Sequence, residues 1–177
     1  MGDTLAAVIA IGLSVILMFV FPLMTMADRN DDISQLAVEI ATTEFVDEVR
    51  TTGVITPERY GKFIESIGST GNTYNVEIEV RILDENPGMQ ITKTSGDIIG
   101  ENIYYSVYTT QILNDFIYNK DKNMSYKLKE GDIISISAKN NNQTISQQLK
   151  NLFYTVVGKD TYVIAATHSG VVTANGI

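Results

Sequence analysis

The sequence predicts an α+β fold in which a long N-terminal hydrophobic helix is followed by a globular head with an antiparallel sheet and short helices. Residues 5–26 contain no charged side chain and are followed by apolar residues at three- and four-residue steps, which is a helical pattern. Further along the chain the pattern changes to strict alternation, most clearly at residues 76–82. We therefore assign residues 1–52 to the helix and residues 53–177 to the head.

Residues 5–26 have the length and composition of a membrane span. As a helix they would be roughly 33 Å long, enough to cross the hydrocarbon core of a bilayer. The segment does not resemble a core helix of a soluble protein, because such a helix is not apolar on every face. It also does not resemble a cleaved secretory signal, which has a positive leading region and a shorter apolar stretch. Asp3 is the only charge before the span and Arg29 the first basic residue, so the positive-inside rule gives no firm orientation. A basic leader that preceded Met1 and was removed would explain this pattern.

The hydrophobic segment is not uniform. Small residues recur at every fourth position and form one helical stripe: Gly2, Ala6, Ala10 and Ser14. Such a stripe lets apolar helices approach closely in lipid, although Ala and Gly are also common in any membrane span. Pro22 removes one backbone donor and clashes with the preceding turn, which predicts a kink or a melted turn between Met18 and Pro22.

An amphipathic helix follows the span and is expected to end at Gly53. It either continues from the span, giving a helix of roughly 70 Å, or restarts near Asp32, where Asp32 and Gln35 form a capping-box pattern. We prefer the continuous helix. The acids Asp28, Asp31 and Asp32 lack the spacing of a calcium loop and are interpreted as a solvated helix end. The predicted buried face consists of Ile33, Leu36, Ala37, Ile40, Ala41, Phe45 and Val49.

The first half of the head has clear start signals. Thr56 is the expected N-cap of a short helix, with Pro57 as its first residue and Glu58 favoured by the helix dipole. The predicted buried side of this helix is Tyr60, Phe63, Ile64 and Ile67. Residues 76–82 alternate between aliphatic and charged side chains and predict a strand with one solvated face, followed by a turn at 85–88.

The second half of the head alternates between strands and helices. We predict a strand near 102–110, a helix at 111–120, two strand pieces around Glu130 and Gly131, a helix capped near 142–144, and a final strand or hairpin. The first helix is expected to bury Ile112, Leu113, Phe116 and Ile117. The second is expected to bury Ile145, Leu149, Leu152, Phe153 and Val156. The second strand piece is expected to place Ile134, Ile136 and Ala138 on one face.

Composition excludes most catalytic chemistry. The chain has no cysteine and a single histidine, so neither a thiolate zinc site nor a catalytic triad can be assembled. That histidine, His168, is expected in an exposed turn. The net charge of −8 argues against nucleic acid as a partner. We therefore predict no catalytic residue, no metal site, no cofactor and no enzymatic activity. Asn123 and Asn142 match the N-glycosylation acceptor pattern.

The apolar N-terminal segment with its small-residue stripe, Pro22, the amphipathic continuation and the α+β head together resemble type IV pilin-like filament subunits. The segments "FVDEVRTTGVITPERYGKFIESIGSTGNTYNVEIEV" and "GDIISISAKNNNQTISQQLKNLFYTVVG" are also similar to pilin-like proteins of Tad-type secretion systems. The resemblance implies a structural subunit of an extracellular type IV pilus-like filament. It implies a membrane-inserted precursor, then a helical filament made of copies of the chain at the cell surface, with the pilus assembly machinery as a further partner.

The chain departs from the family at one position. Pilins carry a Glu at the fifth mature position that contacts the terminal amine of a neighbour, whereas this chain has Leu5 there. By analogy Asp3 takes that role, or it acts only as an acid at the helix N-terminus. The predicted self-assembly residues are Gly2, Asp3, Ala6, Ala10, Ser14 and Pro22. The alternatives are a membrane-anchored minor pilin and a monomeric extracytoplasmic binding domain.

Overall fold

A single helix, α1, runs through Gly2–Thr52. The computed structural model describes residues 2–84, 104–118, 125–154 and 163–176. The continuous helix predicted from the sequence is confirmed, and the restart near Asp32 does not occur because Asp32 and Gln35 lie inside the helix. The capping-box pattern was therefore misleading at this position.

One irregular turn interrupts α1 just before Pro22. The backbone is α-helical at Gly2–Val15 and Phe21–Thr52, and it forms a wider π-helical turn at Ile16–Val20. Proline provides no N–H, and its ring conflicts with the carbonyl four residues earlier, so the ordinary hydrogen-bond pattern cannot continue there. The irregularity overlaps the predicted stretch between Met18 and Pro22 but begins two residues earlier, at Ile16. It takes the form of a widened turn, and the backbone stays helical rather than melting.

Gly53 ends α1 as predicted. Its backbone adopts a left-handed conformation with φ of 67°, and its N–H donates to the carbonyl of Val49 at 2.7 Å. The chain then forms β1 (Val54–Ile55) and α2 (Pro57–Gly68). The Thr56 hydroxyl accepts a hydrogen bond from the Arg59 N–H at 3.2 Å, which confirms the predicted N-cap.

The remaining elements alternate as the sequence predicts. They are β2 (Tyr74–Leu83), β3 (Tyr104–Tyr108), α3 (Thr109–Tyr118), β4 (Tyr126–Lys127), β5 (Ile133–Asn140), α4 (Ile145–Tyr154) and β6 (Ala165–Val171). Four strands form an antiparallel sheet in the order β3-β2-β5-β6, and β1 pairs with β4 in a small second sheet. Ile136 of β5 lies opposite Ile78 of β2 on one side and opposite His168 of β6 on the other, and these pairs define the register of the three strands. His168 therefore lies in a strand, and the predicted turn is wrong.

The C-terminal half of α1 packs against the main sheet and supplies part of the core. Phe45 stacks on Phe63 of α2 with ring centroids 5.0 Å apart. The buried side chains of α1 are joined in the core by those of the sheet: Val38, Ala41, Phe45, Val46 and Val49 from α1, and Ile78, Val80, Ile134, Ile136, Ala138 and Ala166 from the strands. The helix and the head therefore share one hydrophobic core.

The predicted buried face of α1 is partly wrong. Ile33, Leu36 and Ile40 are 66%, 58% and 49% exposed. The side of α1 that faces the head instead buries the polar residues Asp31, Ser34 and Thr42 along with its apolar ones. The helix has two apolar stripes with the same spacing, and only one of them contacts the head.

Smaller corrections apply in the head. Ile64 and Ile145 were predicted to be buried but are 38% and 66% exposed. In α4 the first turn instead buries Ser146 and Gln147, because this turn contacts polar groups of α1. The predicted turn at 85–88 and the acceptor Asn123 lie outside the described residues. Val156 also lies outside them, and the side chains of Phe116, Ile117, Leu152 and Phe153 are outside the described part of their helices.

Candidate assembly interface

The N-terminal half of α1 projects from the head as an exposed apolar rod. Its most hydrophobic 18-residue window has a mean hydropathy of 2.7 and none of it is buried. Most large side chains along it are more than half exposed, among them Leu5 at 64%, Val8 at 67% and Met18 at 71%. This segment is long and apolar enough to cross a membrane, and signal sequences also have this length and composition. Apolar surface of this extent is unfavourable in water and needs lipid or protein to cover it.

The predicted self-assembly residues all lie on this exposed rod. Gly2, Ala6, Ala10 and Ser14 are exposed, and a Cβ atom added at Gly2 would meet nothing within 4 Å. The Ser14 hydroxyl donates to the Ala10 carbonyl at 2.8 Å, so it is satisfied within the helix. Asp3 lies in the first turn, and Pro22 is the second residue after the π-helical turn.

A second exposed apolar region lies farther along α1. We call Ile33, Leu36 and Ile40 the outer stripe; they lie on the side of the helix that faces away from the head. Sequence reasoning found these three residues but assigned them to the core. The side of α1 that faces the head includes the buried polar residues Asp31, Ser34 and Thr42. These residues were not recognised from the sequence as part of the buried face.

A polar junction holds the base of the head on α1. The buried Asp31 carboxylate accepts a hydrogen bond from the Thr144 hydroxyl at 2.7 Å. Asp28 accepts a hydrogen bond from Ser146 and forms an ion pair with Lys150 at 2.7 Å. Two of the acids interpreted from the sequence as a solvated helix end therefore bind α4 and the residue before it: Asp28 contacts the first two turns of α4, and Asp31 contacts Thr144. That interpretation is wrong for Asp28 and Asp31, because their partners are 118 and 113 residues away in the chain.

The last strand is attached to α1 at both of its ends. The Gln35 side chain accepts from the Ala165 N–H at 3.0 Å and donates to the Ala165 carbonyl at 2.8 Å. Arg50 donates to the Val171 carbonyl at 3.3 Å, and its own carbonyl accepts from the Thr173 N–H at 2.8 Å. These contacts and the shared core fix the orientation of the head on α1, so the apolar rod projects in a defined direction.

The two junction acids are expected to respond to pH in opposite directions. Burial raises the pKa of Asp31, so its ionised form lowers stability above the folded-state pKa, and this cost disappears as the pH falls below the ordinary value of 3.8. We expect Asp31→Asn to unfold at a higher temperature than the wild type at pH 7, with the difference shrinking toward pH 3.5. Thermal unfolding of the full chain in detergent between pH 3.5 and 7 measures this.

Asp28→Asn is the matched control for this prediction. The hydrogen bonds from Lys150 and Ser146 lower the pKa of Asp28, so its ionised form stabilises the fold above the ordinary pKa and this gain is lost as the pH falls through the lowered value. Asp28→Asn should therefore unfold at a lower temperature than the wild type at pH 7. If both variants shift in the same direction at pH 7, the account of the junction is wrong.

The other candidate groups do not converge on a reactive site within the described part of the chain. No three His, Asp or Glu side chains there lie close enough together to hold a metal ion. The Asn142 side chain accepts from the Thr73 N–H at 2.9 Å and donates to Asn72 at 3.0 Å. Glycosylation at Asn142 or Asn123 stays a prediction.

A scan against protein-family models and searches of curated proteins and of solved structures found no match to this chain. The geometry itself defines a class: an α+β protein built on one long helix, half of which belongs to the core of the head while the other half is exposed and apolar enough to cross a membrane.

Proposed function

We propose that the chain is a structural subunit of an extracellular type IV pilus-like filament that polymerises through the apolar half of α1. Membrane lipid covers the rod before assembly, and copies of the same helix cover it in the filament. Lipid and neighbouring helices both keep the apolar surface of the rod out of water. Transfer of the rod from the membrane to the filament needs no change in the head. A contact between copies that does not close on itself extends into a filament.

The outer stripe is the observation that carries this proposal. A span at residues 5–26 fills the hydrocarbon core, and Ile33 lies about 10 Å farther along the helix, beyond the charged residues Asp28 and Arg29. Lipid therefore does not cover the outer stripe. A monomeric, membrane-anchored binding domain would leave Ile33, Leu36 and Ile40 in water, whereas a neighbouring copy would bury them.

The test is the location and abundance of the chain on cells that express it. We expect filaments in material sheared from the cell surface, visible by electron microscopy, with this chain as the main band identified by mass spectrometry. A chain that remains wholly in the membrane fraction while the sheared material lacks it would instead support the monomeric anchored domain. A low copy number beside another main subunit would support the minor pilin.

A further inference from the structure

The base of the head lies close to the end of the apolar segment. Asp28 and Asp31, the two acids of the polar junction, are two and five positions beyond Met26. At about 1.5 Å per residue they are roughly 3 and 7.5 Å past the end of the segment. The headgroup region adds roughly 5–7 Å to each side of the hydrocarbon core of a bilayer. When residues 5–26 cross a membrane, the polar junction is therefore at the level of the lipid headgroups.

α4 is held at this level by its contacts with α1. Ser146 in its first turn donates a hydrogen bond to Asp28, and Lys150 in its second turn pairs with the same carboxylate at 2.7 Å. Thr144, directly before α4, donates instead to Asp31, which lies farther from the span. As the chain passes from Thr144 into α4, its contacts thus move along α1 toward the membrane.

The first turn of α4 has the reverse of the pattern expected for a helix in water. Its polar residues Ser146 and Gln147 are buried against the protein, whereas Ile145 is 66% exposed. Leu149 follows Ile145 by four positions on the same face and is half-buried. A helix on the surface of a soluble protein turns its apolar face inward and its polar face outward. An aliphatic face turned outward at headgroup level fits lipid.

We propose that α4 is an interfacial helix that rests on the bilayer in the membrane-inserted precursor, with Ile145 inserted at the boundary between headgroups and acyl chains. This inference rests on the membrane-inserted form of the proposed function and defines the position of the head relative to the bilayer. The partner is the leaflet in which the span already ends, so the apolar surface of Ile145 continues that of the rod.

Apolar contact, rather than attraction to anionic lipid, holds the base of the head on the membrane. The cations at this level are Arg29 and Lys150, and they are outnumbered by Asp28, Asp31 and Asp32. A surface that recognises anionic lipid through charge has clusters of Lys and Arg instead. We therefore expect the contact to form on zwitterionic phosphatidylcholine alone.

Tryptophan fluorescence tests this contact, and the tryptophan-free chain gives a clean background. The full chain with Ile145→Trp, reconstituted in phosphatidylcholine nanodiscs, should lose at least half of its fluorescence when the lipid is replaced by one brominated in the upper part of its acyl chains. Leu23→Trp in the span is the positive control and should be quenched at least as strongly. Leu36→Trp is the matched negative control, because Leu36 is 58% exposed but about 15 Å beyond Met26, and it should lose less than a tenth.

Each departure from this pattern has a distinct meaning. Quenching of Ile145→Trp no stronger than that of Leu36→Trp would overturn the proposal. Equally strong quenching of both would overturn the level assigned to the junction, and it would remove the argument that lipid leaves the outer stripe uncovered. An unquenched Leu23→Trp would mean that the span is not in the bilayer, so the membrane-inserted precursor and this inference would fail together. A lack of filaments on cells would count against the filament alone and would not alter the quenching.

Two further measurements complete the test. Exchanging a third of the phosphatidylcholine for phosphatidylglycerol should change the quenching of Ile145→Trp by less than a fifth, and a larger increase would overturn the apolar contact in favour of charge. Ile145→Trp should unfold in detergent at the wild-type temperature, because the side chain is exposed. If it does not, the wild-type chain gives the same comparison: a nitroxide lipid should attenuate the amide NMR signal of Ile145 at least fivefold more than that of Leu36, and equal attenuation would overturn the proposal.

Discussion

Ala10→Asp is expected to abolish filament formation, to less than a hundredth of the wild-type yield, and to leave the head folded. Ala10 is exposed in the apolar half of α1, so a carboxylate there would be buried without a partner when copies pack. Electron microscopy of sheared surface material measures the yield. Thermal unfolding in detergent should match the wild type, because the described rod contributes no residue to the core of the head.

Two controls make this result interpretable. An aspartate in a membrane span also costs roughly 2.5–3.5 kcal/mol on insertion scales, so the amount of the variant in the membrane fraction must be compared with the wild type. Ala10→Ser introduces a small hydroxyl that can bond to the helix backbone, as Ser14 does, and should keep the filaments. Normal filaments from Ala10→Asp would count heavily against assembly through this helix.

Ala10→Leu separates the two explanations of the small-residue stripe. Leucine keeps the rod apolar and adds bulk at one of the small positions. If the stripe sets the distance between helices, the filament yield should fall at least tenfold; an unchanged yield would show that the small residues reflect only the composition of a membrane span.

Gly53→Ala is expected to destabilise the head by about 3 kcal/mol or more. The left-handed backbone at Gly53 disfavours any side chain, and the C-terminal segment packs directly onto it. An added Cβ would lie 2.3 Å from the Ala174 carbonyl oxygen and 2.5 Å from the Gly176 nitrogen. Chemical or thermal unfolding of the full chain in detergent measures the loss of stability.

Gly61→Ala is the matched control, because Gly61 lies inside α2 and an added Cβ there would meet nothing within 4 Å. It should stabilise the protein by roughly 0.5–1 kcal/mol through the higher helix propensity of alanine. A loss smaller than 1 kcal/mol for Gly53→Ala would mean that the C-terminal segment is not held against the end of α1 as described.

Local signals in the sequence predicted the elements well. Gly53 and Thr56 determine where α1 ends and α2 begins, and both act through neighbours within four residues. The alternation at residues 76–82 predicted β2 because one face of the sheet is solvated. Helix ends and strand alternation depend on residues that are close in the chain, so a local sequence pattern is enough to predict them.

The orientation of α1 could not be predicted in the same way. Its two apolar stripes have equal spacing, and the head packs on the side where buried polar groups find partners. Thr42 bonds to the Val38 carbonyl within the helix, but Asp31 depends on Thr144, which is 113 residues away. The small residues of the rod could be found from the sequence, because they recur at every fourth position. The outer stripe could not, because its exposure depends on which side of α1 the head packs against.

The attachment of β6 to α1 has a consequence for folding during synthesis. The helix is made first and its partner strand last, with Gln35 and Ala165 130 residues apart. Contacts between such distant segments slow folding, because the intervening chain must be ordered before they form. Until β6 has been made, the inner face of the C-terminal half of α1 therefore has no complete sheet to pack on. Only a chain completed through its last strand can bury that face, so a prematurely terminated product would keep it exposed to proteases and chaperones.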